Sequence, residues 1–310
     1  MHDNGAMQAW PSDMTFLQRG WLSSNHLLLQ NRDEAVLIDS GYVSHAPQTV
    51  ALLAQALAGR PLDRLLNTHL HSDHCGGNAA LKVAHPELQT WIAPGLARAV
   101  QDWDASALTH APTGQDCPPF GYEDLLMPGT ELWLAGRAWQ VHAAPGHDPH
   151  SVILFQADSR VLVSADALWE NGFGVVFPEI EGEDGFSGIA QTLDLIESLA
   201  PQWVVPGHGE RFTDVAGALG RARARLAAFQ SQPMRHASHA AKVLLKFKLL
   251  DWQRIHGDAL LRWAEQCHFL HLLHQRYFLT LPLHDWVQQC MQDLVGAKAA
   301  QKDDAYWLNA

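Results

Sequence analysis

Three histidines and an aspartate occupy six neighbouring positions of this chain, directly after a short apolar segment. Residues 69–74 read His-Leu-His-Ser-Asp-His and follow the strand-like stretch 62–68. Alternate side chains of an extended backbone point to one side, so the first two histidines face one point. The Asp-His pair then turns toward a second point, and one loop can present two ligand pairs to two neighbouring ions. Neutral imidazole and carboxylate are ligands that zinc prefers, so the segment predicts a metal site.

The pattern His-x-His-x-Asp-His is the signature of the metallo-β-lactamase fold hydrolases, and four further landmarks of that superfamily follow the expected order. They are Asp39-Ser40-Gly41, Ala144-Pro145-Gly146-His147, Asp166 after a strand, and Pro206-Gly207-His208-Gly209. The chain therefore resembles this superfamily across residues 24–212. It is similar to glyoxalase II-like members, and its C-terminal part is similar to a winged-helix extension found in some of them.

This resemblance implies a four-layer αβ/βα sandwich with a binuclear metal site at one edge, between the two sheets. It assigns His69, His71 and His147 to one ion, Asp73, His74 and His208 to the second, and Asp166 to both. Zinc is the expected metal, with iron or manganese as alternatives. A hydroxide bridging the ions would attack an electrophilic carbonyl or phosphorus. Asp73 would orient it or move a proton to the leaving group.

Two segments beside these ligands bear on the substrate. His150 stands where relatives carry a glycine, and it is either a proton shuttle, a partner of a metal ligand, or a surface-loop histidine. Residues 169–186 contain three Phe, one Trp and four Gly but no Lys or Arg. This composition favours a mobile, apolar pocket wall that includes Trp169, Phe173 and Phe177. Core packing accounts for the same residues equally well.

The character of the chain changes near residue 212. Up to that residue Asp+Glu outnumber Lys+Arg by 25 to 9, and beyond it Lys+Arg lead by 12 to 8. We expect an α/β catalytic domain over 1–212 and a mainly helical domain over 213–310, with the boundary within 212–235 and a hinge at Gln232-Pro233. Predicted strands are 24–31, 34–39, 62–68, 87–93, 138–143, 151–156, 160–165 and 202–205. Predicted helices are 46–58, 187–199, 214–230, 237–254, 257–276 and 282–296.

Charge and composition limit the partners. The net charge of −12 disfavours nucleic acid and anionic membranes as general partners. Segment 221–254 holds eight Lys or Arg against Asp251 alone, so it is either a solvated helix face or a docking patch for a nucleotide carrier, coenzyme A or RNA. Residues 1–14 lack the features of a secretory signal, and no apolar stretch is long enough to span a membrane. Four cysteines without a CxxC pair are typical of reduced thiols in a cytoplasmic protein.

The sequence thus predicts a cytoplasmic, binuclear metal-dependent hydrolase of a small activated ester, thioester or lactone with an apolar portion. The alternative is a metal-dependent phosphodiesterase or ribonuclease whose basic second domain binds nucleic acid. A diiron redox scaffold is disfavoured, because His71 stands where such relatives tend to carry an acidic residue and because the C-terminal tail is predicted to be all-helical.

Overall fold

The computed structural model describes residues 9–310, so residues 1–8 of the segment judged to lack a secretory signal lie outside it. Six strands form its first sheet, in chain order: β1 (Met14–Leu17), β2 (His26–Gln30), β3 (Ala35–Ile38), β4 (Arg64–Asn67), β5 (Gln89–Ile92) and β6 (Asp124–Leu125). β1, β2 and β3 pair antiparallel, and β3 to β6 pair parallel. The strands predicted at 24–31, 34–39, 62–68 and 87–93 are therefore confirmed, and the first two form a hairpin.

Five strands form the second sheet: β7 (Glu131–Leu134), β8 (Arg137–Ala143), β9 (Val152–Gln156), β10 (Val161–Ala165) and β11 (Trp203–Pro206). Their order is β11-β10-β9-β8-β7, and only β10 and β11 pair parallel. β9 and β10 are buried along their whole length, because both faces of the sheet are covered. The four strands predicted in this region are confirmed, and β7 was missed.

Helices cover the outer faces of both sheets. Those preceding the C-terminal region are α1 (Ala46–Leu57), α2 (Ser72–Cys75), α3 (Asn78–Ala84), α4 (Ala97–Asp102), α5 (His110–Thr113), α6 (Phe177–Glu181), α7 (Phe186–Leu199) and α8 (Val215–Ser231). One apolar cluster lies between the sheets, a second joins the first sheet to α1 and α3, and a third joins the second sheet to α7 and α8. This is the predicted four-layer αβ/βα sandwich.

The C-terminal region combines four helices with a small sheet. The helices are α9 (Pro233–Trp252), α10 (Gly257–Ala264), α11 (His268–Tyr277) and α12 (Leu283–Gly296), and the strands are β12 (Arg254–His256), β13 (Ala300–Asp303) and β14 (Tyr306–Asn309). The sheet order is β12-β14-β13. The single helix predicted at 257–276 was wrong, because Cys267 adopts an extended conformation that separates α10 from α11. The predicted all-helical tail was also wrong, since β13 and β14 form a hairpin.

The packing of α8 bears on where the two parts of the chain divide. Leu219, Leu226 and Phe229 of α8 pack into the cluster of the second sheet, whereas α9 begins a separate cluster. We therefore propose a boundary at Gln232, at the C-terminal end of the predicted 212–235 interval rather than directly after residue 212. None of the described helices combines the length and apolar character needed to cross a bilayer. The cytoplasmic location stays a prediction.

We expect acid to weaken the contact between these two parts through His236, the first buried histidine of α9. Val176 donates its backbone N–H to His236 Nε2 at 3.2 Å, and burial lowers the pKa of His236 to about 4. Between about pH 6.5 and 4 the unfolded chain therefore binds a proton that the folded chain does not. The free energy of unfolding should fall with decreasing pH by up to about 1.4 kcal/mol per pH unit from this group.

Urea unfolding at several pH values between 7 and 4.5 measures this slope. His236→Gln keeps an acceptor for the Val176 N–H and removes the titrating imidazole. The pH dependence of its free energy of unfolding should therefore be weaker by the contribution of about one proton, which is up to about 1.4 kcal/mol per pH unit. His268, an exposed histidine at the start of α11, supplies a matched control, and His268→Gln should leave the slope unchanged. Equal slopes for wild type and His236→Gln would rule out His236 as the titrating group.

Candidate metal centre

The seven predicted ligands lie at one edge of the sandwich, where strands of both sheets end. His69 to His74 follow β4, His147 lies between β8 and β9, Asp166 follows β10, and His208 follows β11. Hydrogen bonds between loops fix their places. Ser40 donates its N–H to the His74 carbonyl at 2.8 Å, and Asn25 donates its N–H to the Gly207 carbonyl at 2.6 Å. The loops therefore converge on the point that strand-end placement predicts.

Three histidines form the first half of the centre. Ligand atoms of His69, His71 and His147 lie within 4.8 Å of one another. His71 Nδ1 is 3.1 Å from His69 Nε2 and 2.8 Å from His147 Nε2. The outward nitrogens of two rings have oxygen partners, because His147 Nδ1 contacts the Val175 carbonyl at 2.5 Å and His69 Nδ1 contacts the Thr68 hydroxyl at 3.2 Å. Three inward nitrogens are thus held together, as ligands of one ion require.

Two carboxylates and two histidines form the second half. Ligand atoms of Asp73, His74, Asp166 and His208 lie within 4.8 Å of one another. His208 Nε2 is 3.0 Å from Asp73 Oδ2, and His74 Nε2 is 3.4 Å from Asp166 Oδ1. The other Asp166 oxygen, Oδ2, is 3.4 Å from His147 Nε2 in the first half. Asp166 therefore reaches both halves, which is the position predicted for a bridging carboxylate.

His69, His71, His147 and Asp166 are in the protonation states that bind metal, whereas His74 holds a proton. Burial, reinforced by His74, holds the pKa of His69 well below its usual value, and burial lowers the pKa of both His71 and His147 to about 4. These rings are neutral near pH 7, the form that binds metal. Burial opposes ionisation of Asp166, but His208 and His74 outweigh it and hold the pKa of Asp166 well below its usual value. At His74, burial favours the neutral ring, but the neighbouring carboxylates of Asp39, Asp166 and Asp73 outweigh burial. They raise the pKa of His74 well above its usual value.

One buried atom tests whether these residues fit a metal. Asp39 Oδ2 accepts a hydrogen bond from His74 Nδ1 at 2.8 Å, and this contact fixes the ring. His74 Nε2 is buried and has no hydrogen-bond partner among residues 9–310. A buried polar atom without a partner costs free energy. A cation at this point would satisfy His74 Nε2, with release of its proton, and the donor set of imidazole and carboxylate suits Zn²⁺. The residues therefore fit the predicted ions.

Sequence reasoning missed two residues at the site. The Trp21 ring stacks on His208, with 5.4 Å between ring centroids and 5° between ring planes. Asp148 is buried, its Oδ2 lies 3.6 Å from His71 Nε2, and burial raises the pKa of its carboxyl. Trp21 lies before the first landmark and carries no motif. Asp148 follows His147 directly, and its adjacency to a predicted ligand was a usable signal.

Two of the four predicted pocket residues lie at the site. Phe177 has its ring centroid 4.9 Å from that of His71, and Trp169 has its ring centroid 5.4 Å from that of His208. Phe173 does not line the pocket, because it is fully buried and packs against Phe229 in the core. His150 is exposed, which agrees with the surface-loop alternative, and a role as a proton shuttle or ligand partner stays a prediction. The backbone N–H of His150 donates a hydrogen bond to Asp148 Oδ1, and the His150 ring packs over Gly95.

A chamber of about 90 Å³ lies directly over the ligands, between them and α9. It adjoins a larger cavity of about 580 Å³, which has the sandwich on one side and helices α9 and α12 on the other. Trp21, Trp169, His208, Val243 and Phe247 line both spaces. The C-terminal helices therefore form one wall of the space in front of the candidate metal centre.

Comparison with known proteins agrees with this architecture. Residues 19–208 match the family model described as the metallo-beta-lactamase superfamily. Hydroxyacylglutathione hydrolase of Anaeromyxobacter dehalogenans (strain 2CP-C) is 32% identical over 157 residues, covering 50% of this chain and 51% of the relative. Atrochrysone carboxyl ACP thioesterase of Aspergillus chevalieri is 23% identical over 223 residues, covering 71% and 60%. The matches thus span about half to three-fifths of these relatives' lengths.

A solved structure matches nearly the whole chain. The metallo-beta-lactamase family protein TTHA1429 from Thermus thermophilus superposes with a TM-score of 0.58 at 19% identity, covering 97% of this chain and 100% of that protein. Its likeness concerns the fold, and it includes the C-terminal helices. The fold and the strand-end cluster of histidines and aspartates define a metallo-hydrolase type of sandwich. The chain belongs to the metallo-beta-lactamase superfamily, and the resemblance seen in its motifs is confirmed.

Proposed function

We propose that the protein is a binuclear metal-dependent hydrolase that cleaves a small thioester with an apolar acyl group. The observation that carries the proposal is the convergence of seven buried donors, five of which line a chamber that adjoins an apolar cavity. The printed names of two relatives, a hydroxyacylglutathione hydrolase and a carboxyl ACP thioesterase, support the thioester class. Activated esters and lactones share the same electrophilic carbonyl and belong to the same screen.

The protein residues have separable tasks in this proposal. His69, His71 and His147 would hold one ion, Asp73, His74 and His208 the other, and Asp166 both. When bound, the ions supply an acidified water and a Lewis acid for the carbonyl oxygen. Asp73 lines the chamber and contacts His208 Nε2 at 3.0 Å. Burial opposes ionisation of Asp73, but His74 and His208 lower its pKa, so it is a carboxylate that orients the attacking water.

The cavity would hold the acyl group. Its wall includes the Trp21 and Trp169 rings from the sandwich and Val243, Phe247 and Leu250 from α9. Apolar surface on both sides would remove an acyl chain from water, and each buried CH₂ would contribute roughly 0.8 kcal/mol of favourable binding free energy. The carbonyl would then lie in the smaller chamber, beside the metal ligands.

The basic segment 221–254 offers little support for the nuclease alternative. Arg221 pairs with Asp214, Arg223 with Asp194 and Glu197, and Lys242 with Asp293, while Lys248 is buried beside Asp251. Lys246 donates to the Ala299 carbonyl and to Asn309 Oδ1. Because these cations already have partners, binding phosphates would require breaking internal contacts. We therefore propose thioester rather than phosphodiester cleavage.

Phe247→Ala tests the acyl site. We expect kcat/KM for an octanoyl thioester to fall roughly tenfold, because an aromatic contact with the chain is lost. An acetyl thioester does not reach the cavity and meets Phe247 only in the smaller chamber, so its kcat/KM should fall by a smaller factor of about twofold. Steady-state kinetics on the two substrates, with the same thiol leaving group, measure the difference.

A matched control uses Leu279, a highly exposed side chain of the C-terminal region. Leu279→Ala should behave as wild type with both thioesters. Equal losses for octanoyl and acetyl substrates in Phe247→Ala would contradict the placement of the acyl chain. No turnover of any thioester by the metal-loaded wild type would contradict the proposed function itself.

A further inference from the structure

We propose that Cys75, His110 and Cys117 form a second metal site, separate from the candidate binuclear centre, that takes one Zn²⁺ ion. One donor atom from each of the three residues lies within 4.8 Å of the other two. Two soft sulfur donors and one imidazole are a donor set that zinc prefers, with water completing four-coordination. The binuclear centre is built from nitrogen and oxygen donors alone, so the two sites differ in chemistry.

The distance between the sulfurs matches zinc coordination. Cys75 Sγ and Cys117 Sγ are 3.8 Å apart. Two sulfurs that each lie about 2.3 Å from a tetrahedral ion are themselves about 3.8 Å apart. A disulfide needs a separation of about 2.0 Å, and all four cysteines are free thiols. The two sulfurs, which are within hydrogen-bonding distance of each other, are therefore also spaced for an ion.

The His110 ring supplies independent evidence for a ligand at this point. His110 is 3% exposed, and its Nε2 is 3.0 Å from the Leu70 carbonyl. That carbonyl can only accept, so Nε2 carries the hydrogen and Nδ1 carries a free lone pair. His110 Nδ1 is buried and lacks any hydrogen-bond partner within the described part of the chain. An ion held by the two sulfurs would occupy that lone pair, which otherwise carries the cost of burial without a partner.

The location gives the site a structural role. Cys75 ends α2, the short helix that carries Asp73 and His74. Cys117 follows α5 on a loop that contacts the C-terminal region, because Trp263 Nε1 donates to the Gly114 carbonyl at 3.3 Å. One ion would tie this loop to α2. Cys117 is only partly buried, which gives a metal ion a route from solvent.

Cobalt substitution in the full-length protein tests the site under reducing conditions. Wild type should bind three Co²⁺ per chain and show thiolate-to-cobalt charge-transfer absorption, which nitrogen and oxygen ligands do not produce. Cys117→Ala should bind two Co²⁺ and lose that absorption. Cys290→Ala is the matched control, since Cys290 lies in the C-terminal core, and it should retain both.

A second measurement needs no variant. Zn²⁺ should slow modification of the partly exposed Cys117 thiol by a soluble thiol reagent by roughly tenfold, because a coordinated sulfur is shielded. Cobalt-loaded wild type without charge-transfer absorption, or an equal modification rate with and without Zn²⁺, would overturn the second site. Neither result would bear on thioester hydrolysis, so this proposal and the proposed function can fail separately.

Discussion

Asp166→Ala is expected to lower kcat/KM for a thioester by roughly 10³-fold or more. Losses of this size are typical when a group that stabilises charge in the transition state is removed from an enclosed active site. Asp166 Oδ1 faces His74 Nε2 at 3.4 Å, while Oδ2 faces His147 Nε2 at the same distance. No other carboxylate in residues 9–310 contacts ligands of both halves in this way. In the proposed binuclear centre its loss would therefore remove a donor from each ion and negative charge that stabilises both.

Metal content and turnover should change together in this variant. Elemental analysis after reconstitution should find fewer bound ions in Asp166→Ala than in wild type. Asp158 is an exposed carboxylate in the turn between β9 and β10, and Asp158→Ala should match wild type in both measurements. Wild-type turnover in Asp166→Ala would contradict the assignment of this residue to the centre.

The candidate ligands could be named from the sequence because the motifs that carry the resemblance to the superfamily are local. His69 and His71 lie in the loop after β4, and His147, Asp166 and His208 each follow a strand. Strand ends meet at one edge of a sandwich, so residues far apart in sequence converge. The alternation of strands and helices indicated an α/β layered domain, and the resemblance to the superfamily implied its four-layer arrangement.

The wall of the candidate pocket could be predicted only in part, because it depends on packing between distant segments. Phe173 and Phe177 lie in the same aromatic stretch, yet Phe173 packs against Phe229 while Phe177 contacts His71. Trp21 reaches His208 only through the fold. The interruption between α10 and α11 has no Gly or Pro to announce it, since Cys267 adopts the extended conformation there. Composition does not distinguish these outcomes.

Removal of metal by a chelator is expected to abolish thioester hydrolysis and to lower the Tm of the protein. Without cations, the two carboxylates and five histidines of the centre are buried close together. Metal that binds only the folded chain stabilises it by about 4 kcal/mol when free metal exceeds Kd roughly 1,000-fold, which corresponds to about 10 °C in Tm. Thermal unfolding with and without chelator measures this shift. Asp166→Ala should show a smaller shift, and an identical shift would mean that the metal acts elsewhere.

The central claim is that two ions at this centre make the protein a thioester hydrolase, and one titration tests it most directly. Metal-free Cys117→Ala protein, which should lack the proposed second site, is refilled stepwise with Zn²⁺ while bound metal and octanoyl thioester turnover are measured together. Turnover should rise with bound metal and reach its maximum at two ions per chain. Saturation at about one ion per chain or fewer, or turnover that does not depend on bound metal, would contradict the claim.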